Sequence, residues 1–293
     1  MDGVIVVDKP SAWTSHDVVG KMRRIAATRR VGHLGTLDPL ATGVLPLVLN
    51  RATRLSQFMM KADKVYEATV RFGFSTNTYD SEGYATSEAV SVVLDAAALE
   101  RALDAFRGEL MQTPPPVSAK KIDGVPAYKL ERKNKPVELA AVPVTVFSLE
   151  MLGCDGAEAK LRVHCSSGTY VRSIAHELGL ALGCGAHLCA LRRTRAGGFT
   201  IEQARTLDEL AVMAGEGRFD EAVVPAVDLL PDFPLERVDV ATVVSIRQGR
   251  DFRVSPFRVR NGAPFVRAVD EAGELVAIGE MVIPNLYHPM LVL

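Results

Sequence analysis

The sequence predicts an α/β (α+β) protein with a small β-rich appendix at its C-terminal end. Three observations carry this. Strand-like and helix-like periods alternate from residue 3 to about Pro231. A composition of 48% hydrophobic and 24% charged residues is that of a chain able to bury an ordinary core. Beyond Pro231 and Pro234 the pattern changes to short β-rich runs separated by Gly262 and Gly273. At 293 residues, one large domain plus a small one is expected, and the division is placed at 1–233 and 234–293.

Taken in order, Gly3–Val7 reads as a short buried strand. A helix opens at Ser15, with Val18, Val19, Met22, Ile25 and Ala26 spaced for one face. Val44–Leu49 reads as a strand and Arg51–Met60 as helical. Tyr66, Ala68, Val70 and Phe72 alternate with Glu67, Thr69 and Arg71, the period of a half-buried strand. Leu94–Phe106 reads as an amphipathic helix. From Thr113 to about Pro143 the chain is rich in Pro and Lys and lacks periodicity, which predicts a long excursion. Val144–Leu152 and Ala159–Cys165 read as a strand pair, and Tyr170–Leu182 as a helix after the Ser166-Ser167-Gly168 turn. Phe265–Val269 and Leu275–Ile278 are strands of the appendix.

The formal net charge is −1, yet charge is segregated. Lys21, Arg23, Arg24, Arg29 and Arg30 follow Asp17 with no acid before Asp38. Lys120, Lys121, Lys129, Arg132, Lys133 and Lys135 crowd the excursion, and Arg192, Arg193 and Arg195 cluster again. Arg247, Arg250, Arg253, Arg258, Arg260 and Arg267 lie in the appendix. A neutral chain patterned in this way can turn a basic face to a polyanion. No apolar run approaches the roughly 20 residues that cross a bilayer. The opening MDGVIVVDKP has an acid where an export signal needs a basic start, so a cytoplasmic protein is expected. Cys154, Cys165, Cys184 and Cys189 form no CxxC pair, so free thiols and no metal site are expected.

The chemistry concentrates in Gly32-His33-Leu34-Gly35-Thr36-Leu37-Asp38-Pro39-Leu40-Ala41-Thr42-Gly43. Three glycines, a proline and two threonines make this a loop. Pro39 biases Asp38 toward an extended backbone. An acid held among apolar residues in a stiff loop is partly desolvated and positioned, which suits a nucleophile or base; an arbitrary Asp-Pro is more often a turn cap.

This segment resembles the signature motif of the TruB family of tRNA pseudouridine synthases. The resemblance continues in Val7-Asp8-Lys9-Pro10 with Thr14-Ser15, and in Lys64-Val65-Tyr66. It extends through Phe106-Arg107-Gly108 with Gln112, Pro114-Pro115, Ser118-Ala119, Lys121 and Gly124, and through Cys165-Ser166-Ser167-Gly168-Thr169-Tyr170-Val171-Arg172-Ser173. Leu182-Gly183, Gly185-Ala186-His187-Leu188 and Leu191-Arg192-Arg193-Thr194 complete it in the same order. The resemblance implies the pseudouridine synthase fold, a mixed and mainly antiparallel sheet flanked by helices, with a PUA-like RNA-binding domain in the place of the appendix. It implies isomerisation of uridine 55 in the tRNA T-loop, with no cofactor and no metal, by a monomer acting on an extruded base.

Site residues follow from the resemblance by position. Asp38 is the catalytic aspartate, Tyr66 stacks on the uracil, and Arg172 pairs with the aspartate, which would lower its pKa and keep it ionised. His33 displaces the target nucleotide, Leu191 closes the apolar wall, and Tyr170 completes the substrate-binding set. Lys9 and Lys64 are phosphate-binding or framework residues. Lys120, Lys121, Arg132 and Lys133 meet RNA from the insertion, about 113–143, which is expected to order on RNA. Two departures stand out. Asn50 occupies a position where the family has glycine, and Asn tolerates the left-handed turn this requires. Glu131 replaces a small residue in the insertion. The rival readings are an RNA binder without catalysis and a hydrolase pairing Asp38 with an acid such as Glu67.

Overall fold

The computed structural model describes residues 1–117, 140–256 and 262–293, with the backbone of Lys121–Ile122 and Val125–Pro126. The expectations for Lys120, Lys121, Arg132, Lys133, Glu131 and the ordering of the insertion lie outside the described residues.

Apolar strands dictate the centre. β1 (Gly3–Lys9) and β3 (Thr42–Leu49) are buried almost continuously, so both faces of the sheet are covered there. β2 (Val31–His33) hydrogen-bonds to β3. β4 (Lys64–Phe72) alternates as its sequence requires, with Tyr66, Ala68, Val70 and Phe72 buried. β5 (Gly108–Gln112), β6 (Val142–Asp155), β7 (Glu158–Cys165), β8 (Ala186–Ala196) and β9 (Val223–Pro225) complete the main path. Its order is β9-β1-β3-β8-β4-β7-β6-β5. β8 runs parallel to β3 and antiparallel to β4, and the other neighbouring pairs are antiparallel.

Helices cover this sheet. α1 (Ser15–Ile25) is opened by a capping box between Thr14 and Asp17, and it buries Val18, Val19 and Met22. α2 (Ala96–Leu103) is capped by Asp95 and buries Leu99 and Leu103. The expected helix from Leu94 is therefore shorter, because Asp95 captures the Ala97 amide and ends the extended chain there. Likewise, the stretch read as helical from Arg51 is a 3₁₀ turn, Asn50–Leu55, followed by one α turn, Ser56–Met59. α3 (Val171–Ala181) and α4 (Leu207–Gly215) follow. Asn50 adopts φ +53°, the left-handed turn its position called for.

The C-terminal residues form a second, five-stranded sheet: β10 (Leu235–Arg237), β11 (Phe252–Arg253), β12 (Phe265–Val269), β13 (Leu275–Ile283) and β14 (Leu286–Val292), with α5 (Val240–Arg247). Val238, Ile246, Phe252, Val266 and Tyr287 pack its interior. Phe58 meets Phe233 and Phe265 edge-on, each at 5.5 Å, tying this sheet to the first. Arg267 donates to the carbonyls of Phe233 (2.8 Å) and Val227 (2.6 Å), so it is committed to the fold and is no part of an open basic face. No described helix is long and apolar enough to cross a membrane.

Candidate active site

Asp38 lies in the loop between β2 and β3, and almost every residue around it is held by a donor or acceptor from elsewhere in the chain. Ser15, at the start of α1, accepts from the Leu37 amide (2.8 Å) and donates to the Leu37 carbonyl (3.1 Å). Arg193, on β8, donates to the carbonyls of Gly35 (3.0 Å), Thr36 (3.4 Å) and Val44 (2.7 Å). Lys9, at the end of β1, donates to the carbonyls of Pro39, Pro10 and Trp13. The parallel pairing of β3 and β8 brings the chain so close at Gly43 that a Cβ there would lie 2.2 Å from the Arg193 carbonyl oxygen, at φ +98°. Only glycine fits. The loop is thus fixed before any substrate arrives.

Asp38 lines a cleft of about 490 Å³ together with Tyr66, Tyr170, Arg172, Leu191, Arg193 and Lys64. Arg172 Nε lies 3.0 Å from Asp38 Oδ2, as an ion pair off the line of a good hydrogen bond. The same guanidinium reaches Asp80 Oδ2 at 3.2 Å and donates to the carbonyls of Thr78 (3.1 Å) and Val117 (3.0 Å). Arg172 is nearly inaccessible, at 5% side-chain exposure, whereas Asp38 keeps 35%, so the acid can be reached from the cleft. α3 places Arg172 inward because Tyr170, just before the helix, is clamped by Gln112: the Tyr170 amide donates to Oε1 (2.7 Å) and Nε2 donates to its carbonyl (3.0 Å).

The electrostatics correct one expectation. Arg172 does pull the Asp38 pKa down, but desolvation is the larger effect and Asp80 adds to it, so the carboxyl sits above its ordinary value. Burial also pushes the Tyr66 hydroxyl up, against the opposing charge of Arg193. Tyr66 is 8% exposed and Leu191 7%, so both are wall residues of the cleft.

Not every expected residue joins this group. His33 is not among the side chains lining the cleft. It is half-buried on β2, and burial, with help from Arg193, holds its pKa below the ordinary imidazole value. Lys9 and Lys64 are both buried, with their ammonium groups taken up by main-chain carbonyls. Lys9 is 0% exposed and Lys64 6%, the Lys64 ammonium donates to the Met60 and Ala62 carbonyls, and burial lowers each to about 8. Glu67 projects to the opposite face of β4 from Tyr66 and pairs with Arg162 at 3.1 Å, so Glu67 is not placed as the second acid of a paired-carboxylate hydrolase.

Of the arginine cluster on β8 only Arg193 is internal, while Arg192 and Arg195 are ion-paired but keep more than a third of their side chains exposed. Arg192 grips Asp8 with two nitrogens (3.1 and 2.8 Å), Arg195 pairs with Asp63 (2.7 Å), and Arg193 is 1% exposed. Arg193 and Asp80 are the residues that sequence reasoning missed. Arg193 was counted among surface charges. Its available signals are its place in the Leu191-Arg192-Arg193-Thr194 motif and the apolar run before it that makes β8 a central strand.

The cleft thus brings together a fixed aspartate paired with arginine, a buried tyrosine and an apolar wall, on a mixed sheet carrying a second β sheet, the arrangement that the resemblance to pseudouridine synthases led one to expect. The comparisons agree. The family model for the TruB family pseudouridylate synthase N-terminal domain matches residues 23–171, and that for the tRNA pseudouridylate synthase B C-terminal domain matches 172–230. The chain belongs to the TruB family. It is 59% identical over 293 residues to a tRNA pseudouridine synthase B of Solibacter usitatus, covering all of both chains. It is 47% identical to that of Thermobifida fusca, over 87% of each. Among solved structures, it is similar to a chain of an H/ACA RNP bound to a substrate RNA containing 2′-deoxyuridine, with a TM-score of 0.72, 26% identity, and coverage of 99% of this chain and 84% of that one. A Cbf5-Nop10-Gar1 complex gives 0.70 and 28% over 97% and 79%.

Proposed function

We propose that this pseudouridine synthase isomerises uridine 55 in the T-loop of tRNA, with Asp38 as the carboxylate that acts on the ribose of an extruded nucleotide. The reading rests above all on one observation: Asp38 is rigidly held, reachable from the cleft and 3.0 Å from the Arg172 guanidinium. The names of the relatives, tRNA pseudouridine synthase B, support the choice of RNA.

The isomerisation breaks the C1′–N1 bond, turns the uracil, forms C1′–C5 and moves the C5 proton to N1. Atoms balance with no oxidant and no added group. A carboxylate at this place serves either of two routes, attack on C1′ or removal of the C2′ proton. Arg172 opposes the desolvation that favours the neutral acid and keeps the carboxyl aimed. The Tyr66 ring offers a stacking face for the uracil, and Leu191 an apolar wall that excludes water while the base is detached. Tyr170 borders the same cleft at the start of α3. Extrusion costs a few kcal/mol, and His33, at the end of β2 just before the Asp38 loop, is the residue read as filling the vacated stack. The 235–292 sheet is read as a PUA-like RNA-binding module, and Lys120, Lys121, Arg132 and Lys133 as contacts to the T-arm.

The test is incubation of unmodified tRNA with the purified protein, followed by carbodiimide-based mapping at nucleotide resolution. Conversion at position 55 is expected from the parent, and none from Asp38→Asn, with RNA affinity within a few-fold. Conversion at other positions alone, or normal conversion by Asp38→Asn, overturns the reading.

A further inference from the structure

The loop between β4 and α2 delivers Asp80 to Arg172, and it is a curious loop to rely on. Tyr79, next to Asp80, adopts φ +64°, a backbone conformation that side chains other than glycine and asparagine rarely take. Something must hold it there. Part of the restraint is main-chain: the Tyr79 amide donates to the Thr76 carbonyl (3.2 Å), the Leu188 amide to the Tyr79 carbonyl (3.0 Å), and the Ser81 amide to the Leu188 carbonyl (2.9 Å). Asp80 itself is 2% exposed, and its Oδ1 accepts from Thr78 Oγ1 (2.5 Å) and the Glu82 amide (3.1 Å), leaving Oδ2 for Arg172.

The other restraint is a ring pair. Tyr79 lies flat on His176, with centroids 3.8 Å apart and planes 6° from parallel. His176 stands four residues after Arg172 on α3, so the two share one helix face, one turn apart. The stack therefore joins the segment bearing Asp80 to the helix bearing Arg172, beside the ion pair that both residues form. His176 Nδ1 is buried with no hydrogen-bond partner, which leaves the stack as the visible contact of that ring. Burial keeps the imidazole below its ordinary pKa, and a neutral ring stacks without the cost of a desolvated cation.

We propose that Tyr79 and His176 form an aromatic clamp that positions the Asp80–Arg172–Asp38 network for the chemical step. Neither ring touches Asp38. They are positioning residues, acting through the loop and the helix. The inference rests on Asp38 being the reacting carboxylate.

The experiment compares single-turnover rates at saturating unmodified tRNA with dissociation constants measured separately. Tyr79→Ala and His176→Ala are each expected to slow the chemical step by about tenfold, the scale of a small misplacement of reacting groups. RNA affinity should stay within twofold. The double variant should be no slower than the slower single, because either truncation already opens the clamp. Tyr79→Phe and His176→Phe keep a flat ring and should restore the parent rate. Tyr79→Gly suits φ +64° without strain but lacks the ring, so it should remain slow; recovery there would assign the effect to backbone strain and overturn the clamp. Multiplying losses in the double variant, or a rate within twofold of parent for Tyr79→Ala, would also overturn it. Asp38→Asn runs alongside. If it is fully active, the catalytic reading itself fails; if it is inactive while Tyr79→Ala is unaffected, only the clamp fails.

Discussion

Replacing Arg193 with methionine asks whether the catalytic loop owes its rigidity to a buried cation. The side chain is 1% exposed, and its acceptors are the main-chain carbonyls of Val44 at 2.7 Å, Gly35 at 3.0 Å and, more weakly, Thr36 at 3.4 Å. Two of these have good lengths, and a charge-assisted bond contributes roughly 1.5–3 kcal/mol net. Methionine fills similar volume and relieves the desolvation of a buried ion, which offsets part of the loss. The expected cost is about 2–4 kcal/mol, or a Tm lower by roughly 3–7 °C for a chain of this size. Activity should fall further than stability alone explains, since Gly35 and Thr36 lead directly into Asp38. Arg193→Lys keeps the charge but cannot bridge Val44 and Gly35 with one nitrogen, so it should recover less than half of the loss. Urea unfolding followed by far-UV circular dichroism gives the first quantity, and single-turnover pseudouridine formation the second. A methionine variant within about 1 kcal/mol of parent and within twofold in rate would refute the argument.

Three further outcomes follow from charge. Because the folded-state pKa of Asp38 is raised, the folded protein holds that proton more tightly than the unfolded chain, and stability falls as pH rises from the ordinary carboxylate value through the raised one. Asp38→Asn should therefore be at least as stable as parent at neutral pH while losing activity, and a clearly lower Tm would contradict this. In the same vein, Asp80→Asn removes a charge that raises Asp38, so the acidic limb of the pH–rate profile should move to lower pH. Neutralising Lys120, Lys121 and Lys133 together, chosen from the sequence, should weaken tRNA binding and reduce the slope of log K against log salt by about 2–3. An unchanged slope would argue against RNA contact by the insertion.

The sequence by itself determined most of the local elements and singled out Asp38 as the candidate acid. Alternation at 66–72, the apolar run of β3 and the Ser15 start of α1 are patterns carried by near neighbours in sequence, and here the tertiary structure keeps them. The stiffness of the Asp38 loop was legible too, because glycine and proline restrict the backbone wherever they stand. Only the tertiary structure decided which charges were working and which were framework. Lys9, Lys64, Arg192, Arg193 and Arg195 are alike as basic residues of the sequence, yet each is engaged within the fold: Lys64 by the nearby Met60 and Ala62 carbonyls, the others by carbonyls or carboxylates 30 or more residues away. Asp80 meets Arg172 across 92 residues, and whether a buried arginine or its own desolvation governs Asp38 depends on how deep the cleft is. The cost of burying charge is set by what surrounds it in three dimensions, and the order of residues does not carry that information.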